Sequence, residues 1–518
     1  MRKLRILWTD DEIEVLKPHI FFLREKGYEI DTCSNGNDTI DLVRKNRYDL
    51  ILLDEHMPGL SGIETLRLIK EARPEIPVVM ITKSEEEEIM EAAIGSEIAD
   101  YLIKPVKPNQ ILLVLKKNLE QKRLVTEKTT VDYRLEFRKI SNMIDIARTH
   151  SDWTDIYRKI VYWETELEKS ADNNMTEILQ MQEGEANNSF SKFIINNYLS
   201  WLNNEKSDKP LISPDLLSKK VFPHLDKSRP VFFILIDNMR FDQWKTISAE
   251  LTGLYRILEE DLYFSILPTA TQFSRNSIFA GMMPLSISET MPEFWISDDE
   301  EEGKNKFEEE FLKRHIERKG LNIKWSYNKI SNNQDSKKVN EKMKSLLGND
   351  LNILVYNFVD ILSHARTDVG VIRDLANDER AYRSLTRSWF INSSLFELLK
   401  TLSAHRVKII FSTDHGTIRV QNPVKIIGDR KTSANLRYKM GRSLDYDPSR
   451  VFEIKNPEKA QLPKSNISSR YIFAINEDFL IYQNNYNQYA GYYKDTFQHG
   501  GISMQEMLIP VACLEPIS

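Results

Sequence analysis

Short apolar runs alternate with helix-period segments over the first 120 residues. Runs at 4–8, 29–32, 50–53, 78–81 and 101–103 predict buried parallel strands. Between them, amphipathic segments such as 11–26 and 62–71 predict helices. Five strand–helix units of this kind predict a doubly wound α/β domain at residues 1–120.

The rest of the chain changes pattern twice. Residues 111–209 contain no proline and one glycine, Gly184, and their helical periodicity predicts a central helical bundle at 121–209. Residues 210–518 return to strand–helix alternation, with predicted strands at 231–236, 353–359 and 407–411, and form a predicted C-terminal α/β domain. Within it, residues 423–495 are rich in Asn, Tyr, Lys and Arg and are interpreted as an inserted cap.

Composition narrows the functional classes. A net charge of −6 does not favour a nucleic-acid coat protein or a membrane-surface protein. The two cysteines, Cys33 and Cys513, lie in apolar contexts and are expected to be buried, not disulfide-bonded. Without a signal peptide or a run of about 20 apolar residues, the expectation is a cytoplasmic protein with no membrane insertion.

The first domain carries a set of polar residues at successive strand ends. Asp10 and Asp11 follow the first predicted strand, Asp54 the third, Thr82 the fourth and Lys104 the fifth. Because carboxyl ends of parallel strands meet at one edge, these side chains are expected to form one pocket. Three carboxylates suit Mg²⁺, and a lysine supplies a charge for a phosphoryl group. The pocket therefore predicts an aspartate, Asp54, that accepts a phosphoryl group.

With these residues, the segment 1–120 resembles the receiver domains of two-component response regulators. The resemblance implies that Asp54 is the phosphoacceptor and that Asp10, Asp11 and Asp54 bind Mg²⁺. It also implies that Thr82 and Tyr101 form the conformational switch pair, with Lys104 beside the phosphoryl group. The implied partner is a sensor histidine kinase.

The C-terminal domain carries a second set of polar residues. Six Asp and His residues follow predicted strands or precede a Gly-Gly turn: Asp237, Asp360, His364, Asp414, His415 and His499. Carboxylates mixed with imidazoles suit Zn²⁺, with Mn²⁺ as the alternative. Two metals about 4 Å apart can hold a phosphate between them, although spacing alone does not divide the ligands between two sites. Thr271 precedes a predicted helix and is the candidate nucleophile, with Thr269 and Ser274 as competitors.

The motif Pro268-Thr269-Ala270-Thr271, with these ligands, resembles the PglZ branch of the alkaline phosphatase superfamily. The resemblance implies that Thr271 is both nucleophile and ligand of a two-zinc phosphodiesterase. It assigns Asp237, Asp414 and His415, with Thr271, to one zinc, and Asp360, His364 and His499 to the other. Sulfatase chemistry is disfavoured because position 271 is neither Cys nor Ser, whereas monoesterase and mutase chemistry stay open.

Two further features bear on substrate binding. Asn238 follows the first candidate ligand and could donate a hydrogen bond to a phosphoryl oxygen. The cap also carries six basic residues: Lys425, Arg430, Lys431, Arg437, Lys439 and Arg442. A solvated basic surface is the simpler interpretation, and a rim that binds substrate phosphates is the alternative.

The order of receiver, helical bundle and PglZ-like domain resembles the PorX-type response regulators of type IX secretion. This implies phosphorylation-controlled homodimerisation, through the receiver face that contains Ile89, Ala93 and Tyr101, and control of a phosphodiesterase acting on nucleotide, oligonucleotide or cyclic diesters. It also implies a sigma factor or secretion component as a further partner. The alternative is a signalling scaffold with little catalysis. Direct DNA binding is not expected, because no basic recognition helix follows the receiver.

Overall fold

The computed structural model describes residues 4–83, 98–170, 173–203, 208–296, 305–368, 378–428, 435–464 and 468–517. Within these ranges, the side chains at 120–131, 170, 173, 333 and 364–368 lie outside the description. The chain divides into two compact units, residues 1–133 with 169–172, and residues 134–168 with 173–518. No helix in the described ranges has both the length and the apolar character needed to cross a bilayer.

The first unit contains a five-stranded parallel sheet of order β2-β1-β3-β4-β5. Its strands are β1 Arg5–Thr9, β2 Glu29–Cys33, β3 Leu50–Asp54, β4 Val78–Thr82 and β5 Asp100–Ile103. Described helices of this unit are Lys17–Glu25, Gly36–Lys45, Gly62–Ala72 and Pro108–Leu115. Apolar cores lie on both sheet faces, one around Trp8 and Leu52 and the other around Leu7 and Leu53. The predicted doubly wound domain is thereby confirmed.

The first helix starts later than the periodicity predicts. The amphipathic pattern begins at residue 11, but the regular helix begins at Lys17. Pro18 is one of its first two residues, and a proline has no backbone N–H to continue a helix that started earlier. Residues 11–16 instead form turns, which keep Asp11 exposed at the sheet edge.

Three long helices follow, Gln121–Ile146, His150–Ser170 and Asn173–Leu202. Residues 134–168 and 173–202 belong to the second unit. There, Asn187 accepts a hydrogen bond from the backbone N–H of Met504 at 2.8 Å. Tyr198 accepts one from Leu267 N–H, also at 2.8 Å. Most of the predicted helical bundle is therefore packed into the C-terminal unit.

The second unit is built on a six-stranded mixed sheet of order β7-β18-β10-β6-β9-β8. Its strands are β6 Val231–Ile236, β7 Tyr255–Phe264, β8 Trp325–Ile330, β9 Leu351–Tyr356, β10 Lys408–Ser412 and β18 Leu508–Pro516. The four strands β10, β6, β9 and β8 are parallel, and β18 runs antiparallel to both neighbours. Every residue of β6, β9 and β10 is buried, and these strands are apolar except at Asn352, Lys408 and Ser412.

Helices flank this sheet. The described ones are Phe241–Leu251, Thr271–Ala280, Pro284–Thr290, Glu308–Arg318, Asn333–Glu341, Met343–Leu346, Phe358–Asp368, Glu379–Ile391, Ser394–Leu402 and Met504–Met507. The predicted strand at 353–359 is wrong at its end, because β9 stops at Tyr356 and a helix begins at Phe358. Asp360 therefore lies in the first turn of a helix, not at a strand end.

The inserted region forms its own small sheets. Strands β12 Asn422–Ile426 and β16 Asp478–Tyr482 pair, and β13 Tyr438–Gly441, β15 Arg470–Ala474 and β14 Val451–Ile454 form a second sheet. The helix Tyr486–Tyr493 packs beside them, and the two-residue strands β11 Ile418–Arg419 and β17 Phe497–Gln498 pair at its base.

The basic residues of the cap do not form one solvated surface. Arg437 is fully buried against Glu506, and Lys439 is buried with its ammonium 4.5 Å from the centre of the Tyr482 ring. Lys425 and Arg442 are exposed, whereas Arg430 and Lys431 lie outside the described residues. For Arg437 and Lys439, both sequence interpretations, solvated surface and substrate rim, are wrong because Arg437 pairs with Glu506 of the helix Met504–Met507 and Lys439 packs on Tyr482 within the cap.

Candidate phosphoacceptor and metal sites

The first site lies where β1 and β3 end side by side, at the point where the strand order reverses. Asp10 and Asp54 are buried there, and Asp11 is exposed beside them. Oxygen atoms of these three carboxylates lie within 4.8 Å of one another, as a metal site requires. The Lys104 ammonium lies 2.8 Å from Asp10 Oδ2 and 3.0 Å from Asp54 Oδ1.

The electrostatics of this site suit a cation. Burial raises the pKa of Asp54, the Lys104 ammonium opposes that rise, and the charge on Asp10 adds to it. Asp54 Oδ2 is buried and has no hydrogen-bond partner among the described residues. An orphaned buried carboxylate oxygen beside two further carboxylates fits a hard, oxygen-binding ion such as Mg²⁺.

The predicted switch residues lie on β4 and on the neighbouring edge strand β5. Thr82 ends β4 and is buried, and Tyr101 on β5 is 40% exposed. The two strands pair in parallel, with Thr82 beside Ile103 and Tyr101 beside Met80. Ile89 and Ala93, which were expected to form a dimer face with Tyr101, lie outside the described residues.

The second site lies at the carboxyl ends of the adjacent strands β10, β6 and β9. Asp237 directly follows β6, and Asp414 and His415 follow β10 within three residues. All three are buried, and potential ligand atoms from each lie within 4.8 Å of one another. Adjacent parallel strands thus place two carboxylates and one imidazole together, which is a donor set suited to zinc.

The Thr271 hydroxyl lies against this group. Its Oγ1 is 3.4 Å from Asp237 Oδ1 and 3.1 Å from His415 Nε2. The two competing hydroxyls are engaged elsewhere. Thr269 is fully buried and donates to the Gly501 carbonyl, and Ser274 bonds to Ser265. Geometry therefore favours Thr271 over both alternatives.

A second pair of potential ligands lies beside the first group. His499 Nε2 is 3.9 Å from Asp360 Oδ1, and the His499 ring stacks on the His415 ring at 4.3 Å between centroids. His364 is four residues after Asp360 on the helix Phe358–Asp368, so both residues are on the same helix face. The His364 side chain lies outside the described part of the chain.

Hydrogen bonds to the chain orient both described imidazoles. His415 Nδ1 lies 3.1 Å from the Gly416 carbonyl, and His499 Nδ1 lies 3.1 Å from the Thr269 carbonyl. A carbonyl can only accept, so each Nδ1 carries the proton and each Nε2 keeps its lone pair. That lone pair points to the carboxylates in both cases, as a metal-ligand imidazole requires.

Asn238 positions the ligands of both groups. It adopts a left-handed backbone conformation, with φ of 60°. Its backbone N–H donates to Asp414 Oδ1 at 3.3 Å, and its side-chain amide donates to Asp360 Oδ1 at 3.2 Å and Ser363 Oγ at 3.1 Å. Both amide hydrogens are therefore already engaged, and binding a phosphoryl oxygen would require one of them to be released.

Sequence reasoning missed a buried arginine at this site. Arg275 is fully buried on the helix Thr271–Ala280, one turn after Thr271. Its Nε lies 3.0 Å from Asp414 Oδ2, and its Nη2 contacts Asp237 Oδ2. The available signal was an arginine four residues after a candidate nucleophile, on an otherwise buried helix face.

Burial and neighbouring charges explain the pKa shifts of Asp237 and Asp414. Burial raises the pKa of Asp237, and the charges on Asp414 and Asp360 raise it further against the pull of Arg275. For Asp414, burial acts in the same direction, but the Arg275 guanidinium opposes it and the pKa lies at about 2. A buried carboxylate with a raised pKa beside an ionised one indicates a site short of positive charge, which a divalent cation would supply.

The family comparison agrees with this geometry. The model of the BREX system PglZ alkaline phosphatase-like domain matches residues 216–514, which is more than half of the chain. The chain belongs to the PglZ family. Two further models match this PglZ protein, the response regulator receiver domain at residues 6–116 and the PorX response regulator linker domain at residues 123–202. The three matches together confirm the domain order of PorX-type response regulators.

Curated relatives match the receiver end of the PglZ protein. The transcriptional regulatory protein ResD of Bacillus subtilis is 32% identical over 155 residues, which cover 29% of this chain and 64% of ResD. The regulatory protein VanRB of Enterococcus faecalis is 34% identical over 109 residues, which cover 21% of this chain and 49% of VanRB. The chain thus spans about half to two thirds of the length of these two relatives.

Solved structures resemble the same part. The CheY-like receiver domain protein of Methanospirillum hungatei is 25% identical, with a TM-score of 0.23, and the match covers 23% of this chain and 96% of that one. The response regulator DrrB of Thermotoga maritima is 28% identical, with a TM-score of 0.22, and the match covers 23% and 54%.

Proposed function

We propose that this response regulator has a zinc-dependent phosphodiesterase as its output domain and that phosphorylation of Asp54 controls it. The observation that carries the proposal is the position of the Thr271 hydroxyl. It lies within hydrogen-bond range of one carboxylate and one imidazole, and a second carboxylate–imidazole pair is adjacent. Mn²⁺ in place of Zn²⁺ remains the alternative metal.

Two groups of residues would hold the metals. Asp237, Asp414, His415 and Thr271 form the first, and Asp360, His499 and His364 form the second. When bound, the ions would lower the pKa of the Thr271 hydroxyl and offset the charge of the phosphoryl oxygens. The donor set and the lone-pair direction of both imidazoles support this division.

In the proposed reaction, Thr271 Oγ1 attacks phosphorus and displaces one ester alcohol. The hydroxyl proton is lost to solvent, and the departing alkoxide takes a proton from solvent. Water then cleaves the phosphothreonine, which releases a monoester and restores the hydroxyl. Thr271 opens a ten-residue helix, whose N-terminal end favours the negatively charged phosphoryl group.

The substrate class and pathway extend the proposal further. Diesters of nucleotides, oligonucleotides or cyclic nucleotides are the proposed substrates. Type IX secretion is the proposed pathway, with a sensor histidine kinase upstream. A sigma factor or secretion component is a further proposed partner. The support is the match to the PorX linker domain and the receiver, together with the phosphoacceptor geometry at Asp54.

Turnover of chromogenic esters tests the enzymatic part. Full-length protein reconstituted with Zn²⁺ should cleave a phosphodiester faster than the matching monoester and contain about two zinc ions per chain. Thr271→Ala should lose at least about 100-fold in kcat, and Thr271→Ser should retain measurable turnover. Thr290→Ala, an exposed threonine outside the site, is the matched control.

Each result discriminates between hypotheses. Zinc binding without turnover of any ester would favour the signalling scaffold. Faster monoester than diester cleavage would favour monoesterase chemistry. Wild-type rates in Thr271→Ala would show that the nucleophile is misassigned.

A further inference from the structure

We infer that Arg275 is a positioning residue that presents one defined oxygen of Asp237 to the metal and fixes the orientation of Asp414. This inference rests on the proposed metal site of the PglZ domain. It concerns a residue that belongs to neither proposed ligand group, and it assigns the orientation of the carboxylates to one guanidinium.

The guanidinium joins the loops that follow three neighbouring strands. Its Nη2 contacts Asp237 after β6, its Nε lies 3.0 Å from Asp414 after β10, and its Nη1 lies 3.4 Å from Asn357 Oδ1 after β9. The same Nη1 is also 3.4 Å from Glu308 Oε1. Because a planar guanidinium has donors fixed in one fork, it holds these loops in one relative arrangement.

The contacts determine which carboxylate oxygen remains available. Arg275 engages Asp237 Oδ2, which leaves Oδ1 facing Thr271 and His415. In Asp414, the backbone N–H groups of Asn238 and His415 take Oδ1, and Oδ2 accepts from Arg275 Nε at 3.0 Å while facing His415 Nε2 at 3.7 Å. Arg275 thereby limits Asp237 to one metal-facing oxygen, whereas in Asp414 the backbone ties up one oxygen and Arg275 orients the other.

A third carboxylate, Glu308, anchors the arginine from outside the site. Glu308 is buried at the start of the helix Glu308–Arg318, where it also contacts the Tyr327 hydroxyl and lies 3.1 Å from the Lys329 ammonium. The contacts of Glu308 given above do not include Asp237 or Asp414. Any effect of Glu308 on the metal is therefore expected to pass through Arg275.

Zinc affinity, measured by competition with a chelating dye on full-length protein, tests the inference. Arg275→Lys keeps the positive charge but removes the fork, so it isolates orientation from electrostatics. We expect the zinc affinity of one site to fall about 10–100-fold, as for other residues that orient metal ligands. The matched control is Arg383→Lys, a buried arginine paired with Asp242 and Glu164, which should stay within about twofold of wild type.

The spectrum of the Co²⁺-substituted protein gives a readout that a loss of stability would not change. If Asp237 is released to bind through both oxygens, the coordination number rises and the visible absorption of tetrahedral Co²⁺ weakens. Glu308→Gln should produce the same change in a milder form. If Arg275→Lys does not fold, as judged by circular dichroism of the metal-free protein, Glu308→Gln decides the question.

The outcomes separate this inference from the proposed function. A wild-type protein that binds no zinc would overturn the metal site itself. If the wild-type protein binds zinc, and a folded Arg275→Lys or Glu308→Gln variant has the same zinc affinity and the same Co²⁺ spectrum, only the positioning role is overturned. An equal loss of affinity in Arg383→Lys would also overturn it, because the effect would then be general to buried arginines.

Discussion

Gly416 allows the loop after β10 to approach the C-terminal segment closely. A Cβ atom added at this position would lie 2.0 Å from the backbone carbonyl oxygen of Gln505, whereas real Cβ contacts are essentially never below 3.0 Å. The carbonyl belongs to the main chain, so no side-chain rotation can relieve the overlap. Gly416→Ala therefore requires a backbone displacement of about 1 Å, in a region too closely packed to absorb it.

That displacement acts directly on a proposed metal ligand. His415 precedes Gly416, and its Nδ1 lies 3.1 Å from the Gly416 carbonyl. Metal–ligand distances tolerate only about 0.2 Å, so a shift of about 1 Å should remove His415 from coordination. We expect at least a tenfold loss of zinc affinity and a destabilisation of about 1–3 kcal/mol from overpacking.

Dye competition and thermal unfolding of the metal-free protein measure the two effects. Gly253→Ala is the matched control, because a Cβ there meets nothing within 4 Å. Unchanged zinc affinity in Gly416→Ala, with the expected stability loss, would refute the assignment of His415 as a ligand. Unchanged stability would refute the packing argument.

Two further predictions concern the receiver and an acid-sensitive histidine. Beryllofluoride with Mg²⁺ should shift the wild-type protein from monomer to dimer, as measured by light scattering, and should change its diesterase rate. In Asp54→Ala, neither the oligomeric state nor the rate should change. A change in this variant would exclude Asp54 as the acceptor. Burial, with help from Arg318, lowers the pKa of His315 to about 4. As the pH falls, His315 therefore takes up a proton in the unfolded chain before it does so in the folded protein. This difference should lower the free energy of unfolding by about 3 kcal/mol between about pH 6.5 and pH 4. Urea unfolding across this range should become less pH-dependent in His315→Gln, and an unchanged slope would contradict the assignment.

Residues adjacent to strands could be predicted because buried strands have a clear sequence signature. The predicted strand at 231–236 matches β6, and the residue after it, Asp237, lies in a group that could hold a metal ion. The doubly wound receiver is confirmed for the same reason, and the order of domains is confirmed by the three family matches. Asp360 was misplaced because the apolar run at 353–359 continues from β9 into a helix, and periodicity cannot separate the two in so short a segment.

Contacts between distant segments could not be predicted. Arg275 meets Glu308 and Asn357 only through the fold, and Arg437 meets Glu506 across 69 residues. An isolated arginine in the sequence is compatible with a solvated surface, a substrate contact or a buried pair. Only the tertiary structure distinguishes these cases, because burial of a guanidinium depends on carboxylates from other elements.

The packing of the linker helices limits how a signal can reach the PglZ domain. Arg383 lies 2.7 Å from Asp242 and also contacts Glu164 on the helix His150–Ser170; Arg383 and Asp242 are buried, and the Glu164 side chain is 16% exposed. Separating such a cluster leaves uncompensated buried charge and costs about 3–5 kcal/mol. Typical allosteric couplings are worth about 1–3 kcal/mol, which is less. We therefore expect phosphorylation to leave this helix docked and to act through the association of two chains, which adds binding free energy that a single chain lacks.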